Sequence, residues 1–227
     1  HYAVQKPDEV TDLVDFKQPE ISDTDLKAPI YIDFGPTSLS ATPWNNITSH
    51  QESSTTSWIK DVENNYTNIG VRVLDGFTAT HAGVGSEPAS PVTVDGVEFP
   101  LTAWKDGLLV KGEKNQGDVG PGRIEISQLD VARKYNFTIL AIRFNGSKDA
   151  RISSYKLVGK TESAVKEVKT GIKDAASFAA ANFEEYIAKF ENVEPDSEGK
   201  VIVEVKGLDT GSAAEGHINA LCISLAK

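Results

Sequence analysis

The sequence predicts an all-β protein, an antiparallel β-sandwich of jelly-roll type with at most one or two short helices. Three observations lead there. Apolar, strand-like runs stand at both ends of the domain, Ile30-Tyr31-Ile32-Asp33-Phe34-Gly35 and Gly216 to Leu225. Between them, short β-branched or alternating runs follow one another, each closed by Gly, Pro, Asn or Asp. No long helical stripe separates them, which argues against βα alternation.

In order, strands are expected over 30–34, 56–62, 69–77, 92–99, 107–111, 122–128, 135–143, 151–158, 163–169, 187–193, 200–206 and 217–225. Tyr135 to Arg143 and Lys200 to Lys206 have the clearest strand composition. In the latter, Val201, Val203 and Val205 are expected to face the core, with Lys200, Ile202, Glu204 and Lys206 outward. The Ala-rich stretch from Asp174 to Tyr186 is expected to hold one or two turns of helix, and a further helical turn is placed at Asp130 to Lys134. Residues 1–29 carry seven acids, three lysines and three prolines, which suits an acidic tether before a single domain over 30–227.

Composition narrows the function. Lys and Arg number 23 against 33 Asp and Glu, a formal net charge of -10. With no basic cluster, neither nucleic acid nor an anionic membrane surface is an expected partner. No apolar stretch is long enough for a membrane span. Cys222, the single cysteine, sits in an apolar run and reads as a small core hydrophobe, so no disulfide framework exists. The chain contains no Met, even at position 1, which is expected where a signal sequence has been removed or the chain trimmed.

No catalytic signature stands out. There is no G-x-S-x-G elbow, no H-E-x-x-H and no C-x-x-C pair, and Gly107 to Glu113 lacks the Lys-Ser/Thr ending of a phosphate loop. No catalytic or metal residue is therefore assigned, and no cofactor is expected. A structural calcium is compatible with a jelly roll, but no spacing locates one. Loop acids such as Asp95, Asp106, Asp118, Asp149 and Glu215 keep open a lower alternative, a glycan-active hydrolase with two facing carboxylates. His81 and His217 keep a serine-type version open.

What remains is a set of aromatic, amide and cationic side chains in expected loops. Sugars stack their C–H faces on flat rings while amides and charged groups take the hydroxyls. Trp44, Asn45 and Asn46 offer that combination; equally, Trp44 plugs the end of the sandwich and the asparagines cap turns. Trp58 reads as core, and Trp104 reads equally as exposed or packed. Arg143, Asn145 and Arg151 belong to a hairpin connection, where the arginines either clamp a ligand or pair with a loop acid. The candidate ligand set is Trp44, Asn45, Asn46, Arg143, Asn145 and Arg151, with Trp104 and His81 as additions. The terminal run, with Asn219 and Cys222, reads as core.

In their order these segments resemble the galactose-binding-like or malectin-like jelly-roll module of exported Bacteroidetes glycan-utilisation proteins. The resemblance rests on Ile30 to Pro36, Pro43-Trp-Asn-Asn-Ile-Thr48, Asn68 to Val73, Leu129 to Thr138, Arg143, Arg151 to Gly159 and Gly216 to Leu221, and covers roughly 28–227. Related sequences carry Phe-Gly-Ser-Arg where this chain has Leu140-Ala-Ile-Arg143, so only the arginine is shared. The resemblance implies a non-catalytic carbohydrate-binding module, with an oligo- or polysaccharide as partner. It also implies export to the bacterial cell surface or periplasm, compatible with display as a lipoprotein. The alternative is a structural or protein-interaction sandwich that binds no sugar.

Overall fold

The computed structural model describes residues 26–114, 117–144, 151–208 and 213–227, and strands dominate them. In chain order they run β1 (Ile30–Phe34), β2 (Trp44–Ile47), β3 (Thr55–Thr56), β4 (Gly70–Asp75), β5 (Ala79–His81), β6 (Val92–Val94), β7 (Val97–Phe99), β8 (Gly107–Lys114) and β9 (Val119–Ser127). The second half holds β10 (Tyr135–Leu140), β11 (Arg143–Phe144), β12 (Ile152–Val158), β13 (Lys166–Lys169), β14 (Gly171–Ile172), β15 (Ile187–Val193), β16 (Val201–Gly207), β17 (Ala213–Ile218) and β18 (Ala220–Leu225). Two short helices, α1 (Leu101–Trp104) and α2 (Ala175–Ala179), and a 3-10 turn at Phe183–Tyr186 complete it.

Two large sheets face each other, β15-β10-β18-β1-β2 and β13-β12-β16-β9-β4-β3. The alternation along each strand dictates this. On β16, Val201, Val203 and Val205 are fully buried, while Ile202 and Glu204 lie on the other face, half-buried. On β1, Ile30, Ile32 and Phe34 join them in the main core. Each such fully buried large side chain contributes about 1.5–3 kcal/mol.

The five-stranded sheet is also covered on its outer face. Tyr31, Leu140, Ile187, Ala220 and Cys222 alternate with the main-core residues of the same strands and pack into a second apolar cluster with Phe99, Trp104, Phe178 and Tyr186. The β6-β7 hairpin, α1, α2 and the 3-10 turn supply that cover. A sheet buried on both faces explains why its strands read as continuous apolar runs.

Several expected boundaries shift. Trp44 to Ile47, expected as loop, is an edge strand that pairs in parallel with β1, and β11 and β14 also pair in parallel. The run 92–99 is a hairpin: Asp95 and Gly96 both adopt positive φ, the geometry of a two-residue turn. Of the run 56–62, only its first residue falls in a strand, and Trp58 adopts φ +53 and is half-exposed rather than core. Asp130 to Lys134 forms a turn instead of a helix, whereas Asp174 caps α2 by accepting from the Ser177 amide.

The terminal run is two strands. β17 belongs to a three-stranded sheet, β17-β8-β5, and β18 to the five-stranded one, with the switch at Asn219. Leu26 and Ala28 are buried, so the packed part begins no later than Leu26; residues 1–25 of the expected tether lie outside the described residues.

Pairing register sets the ends of the sandwich. Tyr135 lies opposite Leu225 and Leu140 opposite Ala220. Leu26 to Pro29 and Ala226 to Lys227 line one cleft at the first end. Asn219, Ile142 and Arg143 therefore stand at the other, remote from Leu26 and Lys227.

Candidate functional site

At that remote end five polar side chains gather: His81 from β5, Arg143 from β11, Arg151 just before β12, and Glu215 and His217 from β17. The strand period places them. Glu215 and His217 are two residues apart and share one face of β17, while Ile218 turns into the main core. Lys111 stands opposite Glu215 on β8, and Gly107 stands opposite His81. Gly216 and Gly207 allow the close approach of β17 to β16, since a Cβ on Gly216 would overlap the Lys206 carbonyl.

Glu215 is the hub. Its Oε2 lies 3.3 Å from Arg151 Nη1 and 3.2 Å from His217 Nε2, and Oε1 lies 3.6 Å from Lys111 Nζ. The His81 and His217 rings meet edge to face at 5.1 Å, and Arg143 Nη1 lies 3.5 Å from His81 Nδ1. From these partners we assign the Nε2–H tautomer to both imidazoles. Ser153 Oγ accepts from the His217 amide, and the Tyr155 hydroxyl donates to the His217 carbonyl.

The electrostatics follow from enclosure. Burial pushes His81 well below the ordinary histidine range, and His217, Arg143 and Arg151 push it further. Burial also lowers His217, against the pull of Glu215. Burial alone would raise the Glu215 carboxyl, but the His217 hydrogen bond, Arg151 and Lys111 outweigh it and hold Glu215 at about 2. Burial lowers the Arg143 guanidinium from its usual value, partly offset by Glu215, and Arg151 lowers it further. The site at neutral pH thus holds two guanidiniums, two neutral imidazoles and one carboxylate.

It is not a closed network. Arg143 Nε, Arg151 Nε and Nη1, Glu215 Oε2, and His217 Nδ1 and Nε2 are buried without a hydrogen-bond partner among the described residues. His81 Nε2 is also unpartnered, but it abuts Gly107, where a Cβ would come within 3.0 Å. A structural ion cluster of this burial is ordinarily saturated, because each buried orphan costs about 1–3 kcal/mol.

Comparison with known proteins adds little. No family model and no curated protein matches the chain. Among solved structures, one that is similar is described as the structure of TmCBM61 in complex with beta-1,4-galactotriose. It has a TM-score of 0.33 and 13% identity over 53% of this chain and 71% of the other.

Three of the eight residues singled out from the sequence, His81, Arg143 and Arg151, meet in this cluster. The others do not. Trp44 packs its ring on Tyr31 and Phe99, at 5.0 and 5.7 Å, and no cluster residue is among its ring neighbours. Asn45 spends its amide on the Tyr31 carbonyl and on both backbone groups of Lys60. Asn46 does the same with Ser40. Trp104 is a core residue with no exposed surface, stacked on Phe178 and donating to the Ser90 carbonyl, because α1 turns it under the outer cover. Asn145 lies outside the described residues.

Glu215 and His217 complete the site and were not in the candidate set. Their signal was present: two polar residues at period two inside an otherwise apolar strand, Ala213 to Ile218, have to be satisfied by something polar. Among the described residues no group of three His, Cys, Asp or Glu is placed to hold a metal ion.

Proposed function

We propose that this chain is a non-catalytic carbohydrate-binding module of an exported bacterial glycan-utilisation protein, with the Arg143–Arg151 cluster as its ligand seat. The observation that carries the reading is the convergence of two guanidiniums and two imidazoles, with unpartnered nitrogens, at the sandwich end remote from Leu26 and Lys227. Guanidinium forks and imidazole nitrogens are the groups that bind several hydroxyls of one sugar ring in fixed geometry.

The non-catalytic part is supported by Glu215. A carboxyl held at about 2 by three neighbouring groups is a poor proton donor, and its polar neighbours in the cluster are cations and imidazoles. Export and surface display rest on the sequence resemblance. The Trp44-Asn45-Asn46 segment favours the second reading, a framework role, for that strand alone, since both amides bond backbone groups of the fold and the half-buried Trp44 ring packs on Tyr31 and Phe99.

Affinity electrophoresis in gels carrying plant or mucin polysaccharides tests the reading. The wild-type chain is expected to be retarded by at least one glycan and Arg151→Gln to run as in an empty gel. A wild type that no glycan retards sinks it.

A further inference from the structure

The donor count at the site goes further than saccharide binding and says which kind of sugar fits. Under the tautomers assigned above, Arg143 Nε, Arg151 Nε and Nη1, His81 Nε2 and His217 Nε2 are five donors without a hydrogen-bond partner among the described residues, against two such acceptors, Glu215 Oε2 and His217 Nδ1. Glu215 already faces cluster groups at ion-pair distance, Oε1 with Lys111 at 3.6 Å and Oε2 with Arg151 Nη1 and His217 Nε2 at 3.3 and 3.2 Å, so the buried guanidinium donors that face no acceptor at all among the described residues are Arg143 Nε and Arg151 Nε. A neutral sugar hydroxyl that accepts from a guanidinium turns its own hydrogen toward a further acceptor, and acceptors are fewer than donors here. A carboxylate brings acceptors only, and its planar pair of oxygens matches a guanidinium edge.

Charge and exposure agree with this. Arg143, Arg151 and Lys111 face Glu215 and, beyond Arg143, Glu87, leaving one excess positive charge in a chain whose net charge is -10. Glu87 is committed to the Val84 and Gly85 amides. Arg151 keeps 13% of its side chain at the surface, Arg143 is half-buried, and Lys111 stands open at the rim. The cations reach solvent while Glu215 and both imidazoles lie behind them, so an approaching ligand meets positive charge first.

We propose that the Arg143–Arg151 seat takes the carboxylate of a uronic acid unit in an acidic glycan. The proposal rests on the saccharide reading above and narrows it. His81 and Glu215 are positioning residues: His81 steadies Arg143, and Glu215 with His217 holds Arg151.

Isothermal titration calorimetry with four probes tests it: an oligogalacturonate, the same oligosaccharide with its carboxyls methyl-esterified, a neutral β-galactan oligosaccharide, and sodium acetate. The acid is expected to bind at least tenfold more tightly than its ester or the galactan, and acetate at least a hundredfold more weakly than the acid. Arg143→Gln is expected to lose at least tenfold for the acid and to bring the acid-over-ester affinity ratio to within about threefold. Arg143 has no carboxylate within ion-pair distance among the described residues, so this variant leaves the Arg151–Glu215 pair intact. Arg151→Lys keeps the charge beside Glu215 but loses the fork, and a similar loss is expected. Equal binding of acid and ester overturns the carboxylate inference and leaves saccharide binding standing. Acetate binding as tightly as the acid overturns the sugar part, and binding of none of the three saccharides sinks both. Unchanged acid affinity in both folded variants, checked by thermal melting, also overturns it.

Discussion

At the scale of single residues, two buried carboxyls are driven in opposite directions by their surroundings. Asp33, with no exposed surface, has one oxygen held by the Ser40 amide at 3.0 Å and the other without a partner among the described residues. Burial raises it to about 7, with the Ser40 hydrogen bond opposing and Asp106 adding to the rise. Between about pH 4 and 7 the native state therefore keeps a proton that the unfolded chain has lost. Stability falls as pH rises through that window, by at most on the order of 4 kcal/mol, and is flat outside it. Glu215, held at about 2, behaves in reverse: its contribution, on the order of 3 kcal/mol, is present above about pH 4.5 and is lost as pH falls toward 2. Urea unfolding of wild type and Asp33→Asn at intervals from pH 3 to 8 checks the first effect. The variant is expected to lose the decline between 4 and 7; a decline that survives unchanged would assign it elsewhere. The identity of these two residues was plain in the sequence, but their opposite fates were not. Asp33 was one polar residue in a strand and Glu215 one of 33 acids, and only neighbours distant in the chain separate them.

At the scale of elements, the switch from β17 to β18 is organised by Asn219. Its side-chain Nδ2 serves the Trp104, Asp106 and Ile142 carbonyls, at 2.9, 2.7 and 3.1 Å, and its Oδ1 accepts from the Ile142 amide at 2.8 Å. Its own backbone donates to Leu140 and accepts from Phe34. One fully buried amide thus joins α1, the exit of β10 and the break between two sheets, and it holds the Arg143 and His217 segments in place. Asn219→Ala is expected to leave these backbone groups unsatisfied and to cost roughly 3 kcal/mol or more. Chemical denaturation gives the measurement; a cost under about 1 kcal/mol would mean water replaces the amide without loss. Reading the terminal run as one strand was natural, because both halves are apolar. A strand changes sheet where a side chain satisfies the freed backbone, and an asparagine among apolar neighbours is that signal.

At the scale of the whole molecule, the register places both described ends beside one cleft and the cationic cluster at the opposite pole. On the function proposed above, a domain attached beyond Leu26 or Lys227 leaves the Arg143–Arg151 cluster uncovered. Immobilising the chain through its C-terminus or as an N-terminal fusion is expected to give glycan affinities within about twofold of each other. A tenfold difference by surface-based binding assay would show that a terminus reaches the seat. The enclosure of the five-stranded sheet belongs to this scale too. Its second apolar layer draws Trp104 and Phe178 inward and enlists Trp44 at the edge, which is why tryptophans that suggested a sugar platform serve the packing instead.

The all-β class, the alternating faces of strands such as β16 and the short helix after Asp174 follow from local pattern, since period and turn chemistry act between near neighbours. So does the attention to Arg143 and Arg151, two cations flanking one connection. Their union with His81, Glu215 and His217 is of another kind. It needs strands that are far apart in sequence to pair across β5, β8 and β17, and no residue type records its partner over that distance. Burial then sets these charged and polar side chains apart from an ordinary surface group, because only enclosure makes an unpartnered nitrogen costly.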